Sequence, residues 1–180
     1  MKKAILFATF LGGLFAANAQ TAGPATGDVT LNVNLYPLQS IVVNPSKVVD
    51  LDYKTSADYL NGVNKTEVDH LNVFSTGAFD VKVKSTDTNL SGAGTAIPLT
   101  DIKIIASQGT TTGTTPLIFV PASEVALSGT EQIIGGSTAA GSGNISVNYK
   151  AAGNNDYLSR VVGGAKTTYT ANLVYSIIAK

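Results

Sequence analysis

The chain has 180 residues, with twelve basic and twelve acidic side chains and no cysteine. The absence of cysteine excludes disulfides, thiolate metal sites, thiol nucleophiles and a lipid anchor on an N-terminal cysteine. Because the basic residues are not clustered, nucleic acid and anionic membrane surfaces are poor partners.

Residues 1–19 are predicted to be a signal peptide. Lys2 and Lys3 form a short positive region, and the apolar run that follows, AILFATFLGGLFA, is too short and too interrupted by glycine for a membrane span. The small residues of ANA (17–19) suit a signal peptidase, so we expect cleavage before Gln20 and a mature chain with ten basic and twelve acidic residues. We therefore expect an exported protein, at the cell surface or extracellular, with no membrane insertion.

The segment GDVTLNVNLYPLQSIVV (27–43) follows a short leader with no folding pattern. Its apolar side chains occupy every second position, so an extended strand directs them to one face: Val29, Leu31, Val33 and Leu35. Pro37 cannot donate a ladder hydrogen bond, and it separates DVTLNVNLY from LQSIVV. A strand at such a free end can close its own sheet or be donated to the open edge of a neighbouring subunit.

The rest of the chain shows short β-branched and aromatic runs between Gly-, Ser- and Thr-rich connections. Strands are predicted at 47–53, 68–75, 78–85, 101–107, 116–120, 144–151 and 167–180, loops at 91–96, 107–115 and 135–143, and a helical turn only within 54–66. Roughly seven to nine strands at spacings of about 8–12 residues indicate an all-β fold, an antiparallel immunoglobulin-like β-sandwich, with a closed barrel as the alternative. We expect one sandwich domain over 37–180, preceded by the leader and donor strand at 20–36.

Few side chains suggest chemistry. His70 is the only histidine, and as a candidate general base it has no nucleophile motif beside it; a lone histidine in an amphipathic strand is expected to be a partly exposed surface residue. Asp50 and Asp52 share one face of a predicted strand and could bind calcium, although a solvated strand face is the favoured interpretation. We therefore predict no enzyme activity, no cofactor and no metal site.

The order of several short motifs resembles a known family. DVTLNVNLYPLQSIVV is similar to the start of mature major pilins of the alpha class of chaperone–usher fimbriae, the colonisation-factor pilins, or of a related pilin-like β-sandwich. The likeness continues in order through KVVDLDY, GAFDVKVKS, AIPLTDIKI, GNISVNYKA and YTANLVYSIIAK. The Thr- and Gly-rich loop at 107–115 departs from this pattern.

The resemblance implies a structural role. The subunit would lack one strand, which a periplasmic chaperone would lend and an outer-membrane usher would exchange for the N-terminal strand of the next copy. Val29, Leu31, Val33 and Leu35 would then fill the acceptor groove of a neighbour in a homopolymeric filament. The alternatives are a self-contained secreted module that binds carbohydrate or matrix, and a secreted hydrolase that depends on His70.

Overall fold

A computed structural model describes residues 26–44, 47–111 and 115–180. The predicted signal peptide (1–19) and the first part of the leader lie outside these ranges. The chain divides into two units, Met1–Leu35 and Tyr36–Lys180. The described residues of the first unit, 26–35, form neither helix nor strand. Within the described ranges no helix is long and apolar enough to cross a membrane.

The regular secondary structure described in the second unit is almost entirely β-strand. In chain order its elements are β1 (Gln39–Val43), α1 (Ser56–Asn61), β2 (Val63–Ser75), β3 (Phe79–Ser85), β4 (Asn89–Leu90), β5 (Ile97–Pro98), β6 (Ile102–Thr111), β7 (Val120–Pro121), β8 (Val125–Ala126), β9 (Gln132–Ser137), β10 (Gly141–Ala151) and β11 (Leu173–Ala179), with 3₁₀ turns at Leu99–Asp101 and Leu158–Arg160.

Two antiparallel sheets pack face to face. The first has the strand order β1-β2-β10-β6-β8 and the second β11-β3-β9-β7, while β4 and β5 form a separate two-stranded pair. The predicted antiparallel β-sandwich is therefore confirmed. The alternative prediction of a closed barrel is wrong, because each sheet has an edge strand at either end and does not close on itself.

Period-2 alternation explains how the core forms. In β3, Phe79, Val81 and Val83 are at most 1% exposed, whereas the alternating Asp80 and Lys82 reach the surface side. Strands β2 and β10 of the facing sheet contribute apolar side chains of the same kind to this core. Burying one such side chain contributes about 1.5–3 kcal/mol, so this alternation fixes which face of each strand points inward.

Two predicted strands are not formed as expected. Residues 47–53 belong to no strand of either sheet, although their burial alternates as predicted. Within 116–120 only Val120 belongs to a named strand. The segment nevertheless packs against the core through Leu117 and Phe119, which are 2% and 5% exposed. The final strand is also shorter than predicted, beginning at Leu173.

Two predicted loops contain strand. Strand β6 extends into 107–115, and β9 and β10 together occupy most of 135–143. Glycine is used here for close approach and not for flexibility. A Cβ on Gly135, which has φ +150°, would clash with the Phe119 ring, and one on Gly143 would lie 2.9 Å from the Leu117 Cβ.

The predicted helical turn within 54–66 is confirmed as α1. The Thr55 hydroxyl accepts a hydrogen bond from the Asp58 backbone N–H at 3.2 Å, and the Asp58 carboxylate accepts one from the Thr55 N–H at 2.7 Å. This capping box satisfies donors that a helix N-terminus otherwise leaves unpaired.

Candidate functional site: an open edge of the sandwich

The sandwich has four edge strands among the described residues, and they differ in length. β7 and β8 have two residues each, and β7 includes Pro121, so these edges offer little backbone for pairing. β1 and β11 have five and seven residues, and they lie beside one another, one at the edge of each sheet. Among the described strands, β1 pairs only with β2 and β11 only with β3. The outer backbone edges of β1 and β11 therefore have no strand partner within the described ranges.

The core-facing side chains of β1 and β11 are only half-buried. Leu71 and Val73 in the neighbouring β2 are fully buried, whereas Ile41 and Val43 in β1 retain exposed surface. We call this strip the edge groove, and its apolar residues are Ile41, Val43, Val49, Leu51, Tyr53, Tyr169, Ala171, Leu173, Tyr175 and Ile177. Partly exposed apolar side chains along two neighbouring edge strands are the form expected of a β-sandwich that accepts another strand.

Residues 47–53 contribute one end of the groove. Val49, Leu51 and Tyr53 point inward, while Asp50 and Asp52 are exposed, as the solvated-face interpretation predicts. Asp52 forms an ion pair with Lys54 at 2.7 Å, and this hydrogen-bonded lysine lowers the pKa of the Asp52 carboxyl. Across the described ranges, no three His, Cys, Asp or Glu side chains are grouped so as to hold a metal ion.

A cavity of about 540 Å³ lies at this end of the groove, lined by Leu51, Tyr53, Leu90, Ile97, Tyr157 and Tyr169 among others. The tyrosine hydroxyls are already engaged. Tyr53 donates to the carbonyl of Ala152, Tyr157 to Asp101, and Tyr169 to the carbonyl of Arg160. Burial raises the pKa of Tyr53 to about 12. Because these hydroxyls have protein partners, the rings present mainly apolar surface to the cavity.

His70 is buried, and the expectation of a partly exposed surface residue is wrong. Its side chain is 2% exposed. The cause is an irregularity in the pairing of β2 with β10, at which Leu71 pairs with Ile145 but Glu67 pairs with Val147. The extra β2 residues include Asp69 at φ +55°, and they shift the alternation so that both His70 and Leu71 face the core. A general base in this position has no direct access to solvent.

The predicted donor residues lie in the first unit, Met1–Leu35. Val29, Leu31, Val33 and Leu35 are 91%, 85%, 75% and 87% exposed. The domain proper begins immediately afterwards, since the Leu38 N–H donates to the Thr76 hydroxyl at 2.9 Å and β1 starts at Gln39.

Sequence reasoning identified the alternating segment but not the edge groove. The sequence does show that the first and last strands of the domain, β1 and β11, are both amphipathic. It does not show that these two strands are neighbours, because that follows only from the complete fold. No protein-family model matches the chain, and no curated protein sequence matches it at a significant level.

Proposed function

We propose that the protein is a fimbrial shaft subunit that polymerises by donor-strand complementation and supports adhesion. In this proposal residues 28–36 of one copy enter the edge groove of the next. One observation carries the proposal: the same chain has an exposed, alternating apolar segment and a strip of partly exposed apolar side chains along two neighbouring edge strands.

The segment and the groove are comparable in length and in chemistry. From Val29 to Leu35 an extended chain spans about 20 Å at roughly 3.3 Å per residue, close to the length of the seven-residue β11. Burying the four apolar side chains contributes roughly 6–12 kcal/mol, and ordering the segment and joining two molecules offset several kcal/mol of that. New main-chain hydrogen bonds add to the balance. A long-lived contact between subunits is therefore energetically reasonable.

A tight turn would not let the segment close its own sheet. Directly opposite residues of an antiparallel pair share a face, so a two-residue loop at Tyr36-Pro37 would set Val33 opposite Ser40, which is exposed. The apolar side chains would then face solvent. Such loops also need positive φ at their first residue, which Tyr36 disfavours, and type I′ needs it at the second, which Pro37 cannot adopt.

A three-residue loop over 36–38 would correct the face, but it favours a left-handed last residue, and that residue is Leu38. Leu38 is also held in place, because its N–H donates to the Thr76 hydroxyl and its carbonyl accepts the Thr76 N–H at 3.0 Å. These features favour donation to a second copy over local closure.

The proposal includes an assembly route and a location. By the resemblance, a periplasmic chaperone lends a strand to the groove of the exported subunit, and an outer-membrane usher exchanges it for the segment of the next copy. The product is a homopolymeric filament at the cell surface.

The test is the assembly state of matched variants of residues 27–36. The purified wild-type chain should give a ladder on unboiled SDS gels and thin filaments by electron microscopy. Leu31→Asp should abolish the ladder, because it places a carboxylate in the groove. Asn32→Asp adds the same charge on the opposite face and should leave the ladder intact. Equal ladders from both variants would refute the proposal.

The self-contained binding module makes a different prediction. A wild-type chain that remains monomeric at all concentrations and binds a glycan saturably would favour that alternative. In that case the cavity beside Tyr53 and Tyr157 would be the place to look for the ligand.

A further inference from the structure

His70 lies directly beneath the edge groove. Its ring makes edge-to-face contacts with Tyr149 and Tyr175, at centroid distances of 5.8 Å and 6.1 Å. Tyr149 belongs to β10, and Tyr175 is one of the half-buried groove residues of β11. The His70 carbonyl also accepts the N–H of Asn44, the residue after β1, at 2.7 Å. One side chain therefore contacts β10 and β11, and its backbone joins the end of β1.

The imidazole is set up to remain neutral. Its Nδ1 atom is buried without a hydrogen-bond partner among the described residues. The two tyrosine hydroxyls beside it bond to each other at 2.5 Å. Burial lowers the pKa of His70, while the nearby Asn44 backbone and the charge of Glu67 raise it to a smaller extent.

The position of His70 depends on a well-bonded irregularity in β2. The Asp69 carboxylate accepts the Thr110 N–H at 2.7 Å and the Thr110 hydroxyl at 2.6 Å, and the Asp69 N–H donates to the Ser146 hydroxyl at 3.1 Å. Because these bonds hold the extra residues of β2, they fix His70 in the core. Bulges often serve to redirect one side chain, and here the redirected side chain is the only histidine of the chain.

We propose that His70 makes strand uptake by the edge groove pH-dependent, with the groove holding a donor strand more weakly when the imidazole is protonated. This inference rests on the proposed function. A protonated ring has a second N–H to satisfy and a charge to stabilise. Of the two tyrosine rings in contact with it, Tyr175 is the one that retains exposed surface.

A donor strand along β11 would cover the exposed surface of Tyr175 and remove the water next to that ring, which further lowers the polarity around His70. Covering the groove disfavours the imidazolium, so protonation of His70 must in turn disfavour the strand, since coupling between two binding events is reciprocal. The groups that face the ring agree with this direction. Tyr149 and Tyr175 are neutral at physiological pH, and Asn44, the residue after β1, is uncharged. The Glu67 carboxylate forms an ion pair with Lys65 at 2.9 Å.

The experiment uses the full-length Leu31→Asp chain, which keeps its groove but cannot donate its own segment. A synthetic peptide of residues 27–36 is the probe. Because the chain has one histidine, its imidazole NMR signal reports on His70 alone. We expect a pKa below the usual value near ~6.5, and a further decrease when the peptide is saturating.

Peptide affinity should change in step with that pKa. The affinity for the peptide is compared at pH ~7.5 and pH ~5.5. For each unit by which the bound peptide lowers the His70 pKa, the affinity can fall by at most about tenfold on acidification. In a His70→Gln background the two affinities should be equal. The same His70 pKa with and without the peptide would overturn the inference while leaving the proposed function intact, and this readout does not depend on whether the Gln variant folds. No binding of the peptide at any pH would overturn both.

Discussion

The hydroxyl groups of Tyr149 and Tyr175 form a hydrogen bond 2.5 Å long between the two sheets of the sandwich. Tyr149 belongs to β10, in the middle of one sheet, and Tyr175 to β11, the edge of the other. Desolvation raises the pKa of Tyr149 to about 12 and also raises the pKa of Tyr175 well above its usual value, so both hydroxyls remain protonated. This hydrogen bond thus joins β11, the edge strand of the second sheet, to β10, the central strand of the first.

A double-mutant cycle should detect this hydrogen bond. Tyr149→Phe or Tyr175→Phe alone leaves one buried hydroxyl without its partner, and each should lower the free energy of unfolding by about 1–3 kcal/mol. The double variant should cost clearly less than the sum of the two, since no hydroxyl is then stranded. Urea denaturation of the four proteins measures this, and strictly additive losses would mean that the bond contributes nothing.

Substitution of Gly135 in β9 should destabilise the fold, whereas substitution of Gly129 should not. Gly135→Ala introduces a Cβ against the Phe119 ring at a positive φ and should lower the free energy of unfolding by about 1–3 kcal/mol. Gly129→Ala is the matched control, because a Cβ there meets nothing within 4 Å. Its urea midpoint should match that of the wild type. Equal midpoints for both variants would show that Phe119 can move away at little cost.

Gly135 and Gly136 show why part of the fold was not predictable from sequence. IIGGS has few of the features of a strand, and Gly135 and Gly136 favoured a loop. The need for them arises only after Phe119 from a distant segment and Asp80 from β3 pack against this backbone. By contrast, Phe79, Val81 and Val83 were predictable, because their burial follows from local alternation alone.

The candidate site divides in the same manner. The alternation of Val29 to Leu35 is a local pattern and can be read directly from the sequence. The burial of His70 cannot, since it depends on extra β2 residues held by Thr110 and Ser146, which are 41 and 77 positions away from Asp69. Long-range pairing also places β1 beside β11 and so creates the edge groove.

Acid should destabilise the folded chain through His70. Burial lowers the folded pKa of this imidazole below its unfolded value near ~6.5, so the unfolded chain takes up the proton first as pH falls. The contribution of neutral His70 to the free energy of unfolding is therefore fully present above the unfolded pKa. It decreases as the pH falls from the unfolded pKa to the folded pKa. Urea midpoints between pH ~7.5 and ~5.5 should fall for the wild type and fall less for His70→Gln. Parallel declines in both proteins would assign the effect to other groups.

The two halves of the proposed contact can be inactivated in different subunits. Leu31→Asp should remove the ability to donate a strand, and Ile177→Asp should block the groove, because Ile177 is one of its half-buried residues. Val174→Asp is the control for the second change, since Val174 is 42% exposed and its register partner is Lys84. Each defective variant alone should remain monomeric, while Val174→Asp should still polymerise.

Mixing the two defective variants then tests the direction of the contact. The Ile177→Asp subunit retains its donor segment and the Leu31→Asp subunit retains its groove, so together they should form heterodimers and nothing larger. Native mass spectrometry of isotopically distinct chains measures this directly. Because each heterodimer exposes only a defective donor and a defective groove, its growth must stop at two subunits. Continued polymerisation of the mixture would show that the subunits associate through a surface other than the edge groove.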